Sequence, residues 1–201
     1  MKLRLEEQKD YKEVEHLIRE AFWNVYQPGC DEHYIMHIVR NEDCFVSELD
    51  YVIEDEGKII AQITYAKGKL KKENGDEEEI LFFGPVGVLP EKQHQGYGSY
   101  IIKETLNIAK NMGYPCVVIT GNPKYYHRFG FEKASNYGIY HADLPKETPV
   151  FMVNVLNQEA MKDIKGIYSD PACYCVDPNE VAKFDKQFPI KIKEKRPGQL
   201  G

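Results

Sequence analysis

No run of apolar residues in the 201-residue chain approaches the roughly 18 needed to cross a bilayer, so a membrane-spanning helix is not expected. Met1 to Asp10 is polar and charged and lacks the apolar centre of a secretory signal. Internal repeats and long low-complexity tracts are missing too. There is no basic excess: 26 Lys and Arg stand against 32 Asp and Glu, a net charge of −6. Phosphate backbones want a basic field, so nucleic acid is not the expected partner, whereas cationic amines suit the balance. The cysteines lack a framework spacing. Cys30, Cys44, Cys116, Cys173 and Cys175 are odd in number and irregularly placed, and without an export signal they read as reduced thiols of a cytoplasmic protein.

What is present is ordinary globular material, 42% hydrophobic and 29% charged, enough for a real core in a domain of this size. Val14, Leu17, Ile18, Ala21, Phe22 and Val25 recur at helical spacing and predict a helix over 11–26, opened by an Asp10/Glu13 capping box and ended by Pro28-Gly29. A second short helix is expected over 32–39. Strands follow at 51–54 and 58–67 around the turn Asp55-Glu56-Gly57, and Asn74-Gly75 marks a turn before a longer strand at 80–89. Three strands joined by turns imply an antiparallel meander. A helix is expected over 99–111, ended by Gly113, and Cys116 to Thr120 reads as a buried strand with neighbours on both sides. Strand, loop, helix and strand make a βαβ crossover, so the strands flanking that helix should run parallel. Asn122 caps a short helix that Gly130 ends, and a further strand covers 151–156. This organisation reads as a core domain over 1–156 and an appendage over 157–201. The appendage carries a short helix at 157–165, a second capped helix from Asp177, and a basic tail from Lys191 expected to be frayed.

The most informative stretch is Gly84 to Ser99. A glycine-bearing loop between a strand and a helix presents several backbone N–H groups at the helix N-terminus, a setting for phosphate. No Walker lysine follows it, and Ile101 stands where a dinucleotide fingerprint has its third glycine. Gln93-x-x-Gly96-x-Gly98 resembles the pyrophosphate-binding signature of the GNAT superfamily of N-acetyltransferases. The preceding Val86-Gly87-Val88-Leu89-Pro90-Glu91 is similar to that family's fourth strand and its exit. The segment Asn122 to Phe131, with Tyr126 ahead of Gly130-Phe131, resembles the family's downstream motif.

The resemblance implies an α/β fold of the α+β type: a mixed, largely antiparallel central sheet with helices on both faces and a parallel βαβ pair at a coenzyme A cleft. It implies acetyl-CoA as co-substrate, with no metal, and transfer of acetyl to a small-molecule or peptide amine. By analogy Val86, Gly87 and Val88 would pair with the pantetheine arm, and the Val88 N–H would polarise the thioester carbonyl. Backbone groups of Gln93, His94, Gln95, Gly96, Tyr97, Gly98 and Ser99 would hold the pyrophosphate, Asn122 would touch the pantetheine, and Tyr126 would protonate the departing thiolate. No residue declares itself as the base for the amine; Glu91, Glu48 and water-linked carboxylates are open alternatives. A non-catalytic acyl-CoA-binding module and an unrelated phosphate-binding fold are the competing readings.

Other features have plain structural readings. Cys30-x-x-His33-x-x-x-His37 has a spacing a metal can use but no evident fourth ligand. Cys173-x-Cys175 reads as two thiols near a turn, and His94 and His127 as solvated side chains. An edge strand near the C-terminus is compatible with a homodimer.

Overall fold

The structure is a computed structural model that describes residues 1–199. Leu200 and Gly201, the last two residues of the expected appendage, lie outside the described residues. The chain forms two compact units.

The first unit holds residues 1–64, 85–101 and the chain from 172 onward. Strand β1 (Lys2–Leu5) pairs antiparallel with β2 (Tyr51–Asp55), which pairs antiparallel with the start of β3 (Lys58–Lys71), Ile53 facing Ala61. Glu56 and Gly57, with φ of 51° and 79°, make the tight hairpin turn expected between β2 and β3. Strand β1 carries no sequence signal of its own, because four residues of Lys-Leu-Arg-Leu hold too little pattern to predict a strand.

Helix α1 (Tyr11–Phe22) buries Val14, Leu17 and Ile18 and stops four residues earlier than its apolar spacing predicts. The reason is Asn24. It takes a positive φ of 60°, and its backbone N–H donates to the Gly29 carbonyl at 2.8 Å while its side-chain oxygen accepts from the Gly29 N–H at 2.8 Å. The expected capping box is also displaced. Asp10 accepts from the Glu7 N–H at 2.9 Å and pairs with Arg4 at 2.5 Å, while Glu13 accepts from the Ile59 N–H at 2.8 Å. Helix α2 (Glu32–Val39) matches its prediction.

Near the C-terminus, α5 (Pro178–Asp185) is capped by the Asp177 side chain and buries Val181 and Phe184. The segment after it, read from the sequence as a frayed basic tail, runs beside α1: the Trp23 indole and the Asn24 amide both donate to the Ile192 carbonyl at 3.0 Å. Lys191 pairs with Glu20 at 2.9 Å.

The second unit holds residues 65–84 and 102–171. The end of β3 neighbours the start of β4 (Glu77–Val88), and the pairs Lys67–Glu79 and Lys69–Glu77 cross between them. Strand β4 pairs parallel with β5 (Cys116–Thr120), and the helix between them, α3 (Tyr97–Asn111), completes the crossover. Beyond β5, the antiparallel partner is β8 (Phe151–Val155), paired along its whole length from Cys116↔Val155 to Thr120↔Phe151. A short α4 (Pro123–Tyr126) and the two-residue β6 (Glu132–Lys133) precede β7 (Ile139–His141).

The helix expected at 157–165 is only a 3₁₀ turn over Ala160–Asp163, followed by a strand, β9 (Gly166–Ser169). Strand β9 pairs antiparallel with β3 and parallel with β7. Its first residue lies so close to β3 that a Cβ on Gly166 would strike the Lys71 carbonyl oxygen, so long-range pairing overrides the local helical signal. The fold is thus mixed α/β, mostly antiparallel, with β4 and β5 parallel.

Candidate active site

Val86 to Ser99 belong to the first unit, Asn122 and Tyr126 to the second. In the first unit β4 ends at Val88, and the chain turns through Pro90–Lys92 into the loop that opens α3. Gly87 answers a packing need: a Cβ there would stand 2.6 Å from Cδ1 of Ile18 and 3.2 Å from Cδ2 of Leu17. Its absence lets α1 lie directly on β4.

The Gln93 amide donates to the Val88 carbonyl at 3.1 Å, tying the loop back to the strand it left. The Gln95 amide donates to the Glu91 carbonyl at 3.0 Å. His94 and Gly96 adopt positive φ, 61° and 93°, and a Cβ on Gly96 would meet nothing within 4 Å. The Tyr100 N–H donates to the Gly96 carbonyl at 2.9 Å and closes the first helical turn. The N–H groups of Tyr97, Gly98 and Ser99 therefore stand in the first turn, where no helical carbonyl precedes them. The arrangement is what an anion requires: a partly exposed fan of backbone donors at the positive end of a fifteen-residue helix.

In the second unit the β4–β5 ladder registers at two pairs, Leu81↔Val117 and Phe82↔Val118, although β5 runs on to Thr120. Past its end, the Asn122 side chain accepts from the Lys124 N–H at 3.0 Å and caps α4. Tyr126 is half-buried in an aromatic nest, its ring centroid 6.0 Å from Phe83, 5.9 Å from Phe131 and 5.0 Å from Tyr125. Gly121 leaves room for that ring, because a Cβ on Gly121 would overlap the tyrosine's Cε2 and lie 2.9 Å from its Cδ2. His127 is exposed, as its solvated reading expects, and holds its Nδ1 2.7 Å from the Phe131 carbonyl. Gly130 ends the turn with a φ of 86°.

Of the carboxylates weighed as bases, Glu91 is exposed and pairs with Lys58 at 3.1 Å; its own backbone and that lysine hold its carboxyl below the ordinary range. Glu48 lies on an exposed turn beside Ser47. Burial pushes the Glu32 carboxyl up to about 7, and Glu32 accepts from the Asp31 N–H at 3.0 Å. Nothing in the local sequence announces its burial. The largest carboxyl shift belongs to Glu6, raised by burial and by Asp50 against the opposing Arg40. Its partners are structural, not a cleft.

The Cys30/His33/His37 spacing brings only two of its members together. Cys30 Sγ lies 3.4 Å from His33 Nδ1, while His37 turns to Glu15 at 3.0 Å and its ring lies tilted against Phe184 at 4.4 Å. Among the described residues no group of three or more His, Cys, Asp or Glu is arranged to hold a metal. No helix among them is long and apolar enough to cross a membrane.

A parallel strand pair joined by a crossover through a glycine-bearing loop and a helix is the arrangement expected of the GNAT acetyltransferase class. The comparisons with known proteins agree. A family model described as an acetyltransferase (GNAT) domain matches residues 2–134. The chain is 26% identical over 167 residues to the N-acetyltransferase YhbS of Escherichia coli K12, covering 83% of this chain and 94% of that protein. It is 28% identical over 128 residues to the N-acetyltransferase YjhQ of the same strain, covering 62% and 67%. In structure it resembles YhbS of E. coli in complex with CoA, with a TM-score of 0.75 at 23% identity over 87% of this chain and 92% of that one. It also resembles a GNAT family acetyltransferase of Brucella melitensis in complex with acetyl-CoA, with a TM-score of 0.68 at 24% identity over 86% and 97%. The chain belongs to the GNAT acetyltransferase family and is a transferase of that family.

Proposed function

We propose that the protein transfers an acetyl group directly from acetyl-CoA to an amine. The observation that carries this reading is the loop from Gln93 to Ser99, tied to Val88 by the Gln93 amide and leading into the first-turn N–H groups that open α3. Those groups suit a pyrophosphate, and the open space at Gly96 leaves the backbone approachable. Family membership, and the CoA and acetyl-CoA bound to the two structural relatives, support the same ligand here.

In this reading His94, Gln95, Gly96, Tyr97, Gly98 and Ser99 hold the pyrophosphate by backbone donors. Val86 and Gly87 align the pantetheine, and the Val88 N–H faces the thioester oxygen. Asn122 contributes its amide Nδ2, since its Oδ1 is engaged in capping α4. The amine nitrogen attacks the thioester carbon, the C–N bond forms and the C–S bond breaks. The Tyr126 hydroxyl gives its proton to the departing sulfur and regains one from the amine side through solvent. A phenol near pKa ~10 donating to a thiolate whose acid is near ~8.5 works uphill, so geometry supplies the benefit.

The test is direct. Purified protein, acetyl-CoA and a panel of small amines and peptides are mixed, and free thiol is followed. At least one amine is expected to raise thiol release above hydrolysis. Calorimetric binding of acetyl-CoA with no acceptor in the panel consumed would favour a binding module instead.

A further inference from the structure

Two thiols far apart in sequence meet on the first unit. Cys44, between α2 and β2, and Cys173, just ahead of α5, are 129 positions apart, yet their sulfurs lie 3.7 Å from one another. Both are partly exposed, and neither is bonded to another cysteine. The segment that carries Cys173 continues as a strap across α1 and α2. Its Asp185 accepts from Arg19 at 2.6 Å, its Phe184 and Phe188 rings flank His33 at 5.5 and 5.3 Å, and its Ile192 carbonyl takes the Trp23 indole proton.

We propose that Cys44 and Cys173 are a disulfide-forming pair that locks the C-terminal strap covalently to the turn between α2 and β2 when a small-molecule disulfide is present. The sulfurs need to approach by about 1.7 Å to reach the ~2.05 Å of a bond, a shift within reach of two side-chain rotations on partly exposed turns. In the first step the Cys44 thiolate attacks one sulfur of the small disulfide and releases one thiol. In the second the Cys173 thiolate attacks the Cys44 sulfur of the mixed disulfide and releases the other thiol. Two protein thiols are oxidised and one small disulfide is reduced to two thiols, with the protons passing to the leaving groups.

The surroundings set the rate and the reagent. Burial raises both thiols, Cys173 to about 12, and Glu42 adds to the rise at each, with Asp43 also facing Cys44. Closure is therefore slow at neutral pH. The same carboxylates favour a cationic disulfide over an anionic one.

The experiment uses the full chain, reduced, freed of reductant and incubated with cystamine. Digestion without reduction is expected to yield one peptide pair joining Cys44 to Cys173, and the same pair from Cys175→Ser protein. In Cys173→Ser protein, Cys44 is expected to stop at the mixed disulfide. The linked protein should melt about 5–10 °C higher than the reduced one, reversibly with dithiothreitol, because the link closes a long loop. Separate cystamine adducts on Cys44 and Cys173, a link through Cys175 instead, or a linked protein that melts no higher would each overturn the proposal.

Discussion

Two glycines show how much is decided by a single missing Cβ. At Gly121 the vacancy is filled by the Tyr126 ring, which is then held among Phe83, Phe129 and Phe131. Gly121→Ala should push that ring aside. Turnover is expected to fall at least ~10-fold while acetyl-CoA affinity changes little, as steady-state kinetics and calorimetry on the same protein would show. Loss of both together would mean that the turn itself had collapsed. Tyr126→Phe removes the proton without disturbing the aromatic nest. Its turnover should drop more at neutral pH than at high pH, where solvent-derived bases and acids take over; equal kinetics at all pH values would remove the acid role.

At the scale of elements, the docking of α5 and the strap on α1 turns on one buried cation. Arg19 is fully buried, pairs with Asp185 through two nitrogens at 2.6 and 3.3 Å, donates to the Pro189 carbonyl, and sits 4.2 Å over the Trp23 ring. Asp185→Ala would strand that charge. It should cost about 3 kcal/mol in denaturant unfolding, far more than an exposed pair would.

His33 shares the interface, fully buried between Phe184 and Phe188, and burial lowers it to about 4, with the Arg19 charge adding to the shift against the opposing Asp185. The folded protein thus keeps His33 neutral where the unfolded chain, at about 6.5, is already protonated. Its contribution is present above that value and is lost as pH falls toward 4. Relative to His33→Gln, native stability should therefore shrink by up to about 3 kcal/mol between pH 6.5 and 4. A parallel pH dependence of the two proteins would show that the histidine carries none of it.

For the whole molecule, the proposed donor site on the loop would make stability depend on ligand. At a concentration about 100 times its dissociation constant, coenzyme A should add about 2.7 kcal/mol and raise the melting temperature by about 5–10 °C. Thermal scans across a concentration series would check this, and a flat series would count against the donor reading.

Most elements were legible because their signals are local. The stripe of Val14, Leu17 and Ile18, the apolar run Cys116 to Thr120, and the loop Gln93 to Gly98 each state a dihedral pattern within a few residues. Strands β1 and β9 were not legible, since Lys2–Leu5 and Gly166–Ser169 become strands only on meeting β2 and β3. By itself the sequence determined the helix faces, the buried strand and the anion-ready loop opening α3, because helix periodicity and glycine freedom are properties of the local chain. The tertiary structure alone decided that Gly87 admits α1, that Gly121 admits Tyr126, that Arg19 and His33 are roofed by α5, and that Cys44 meets Cys173. Those contacts join residues from different stretches of chain. Their energy comes from steric fit, desolvation and charge pairing, which exist only once the partners have been brought together.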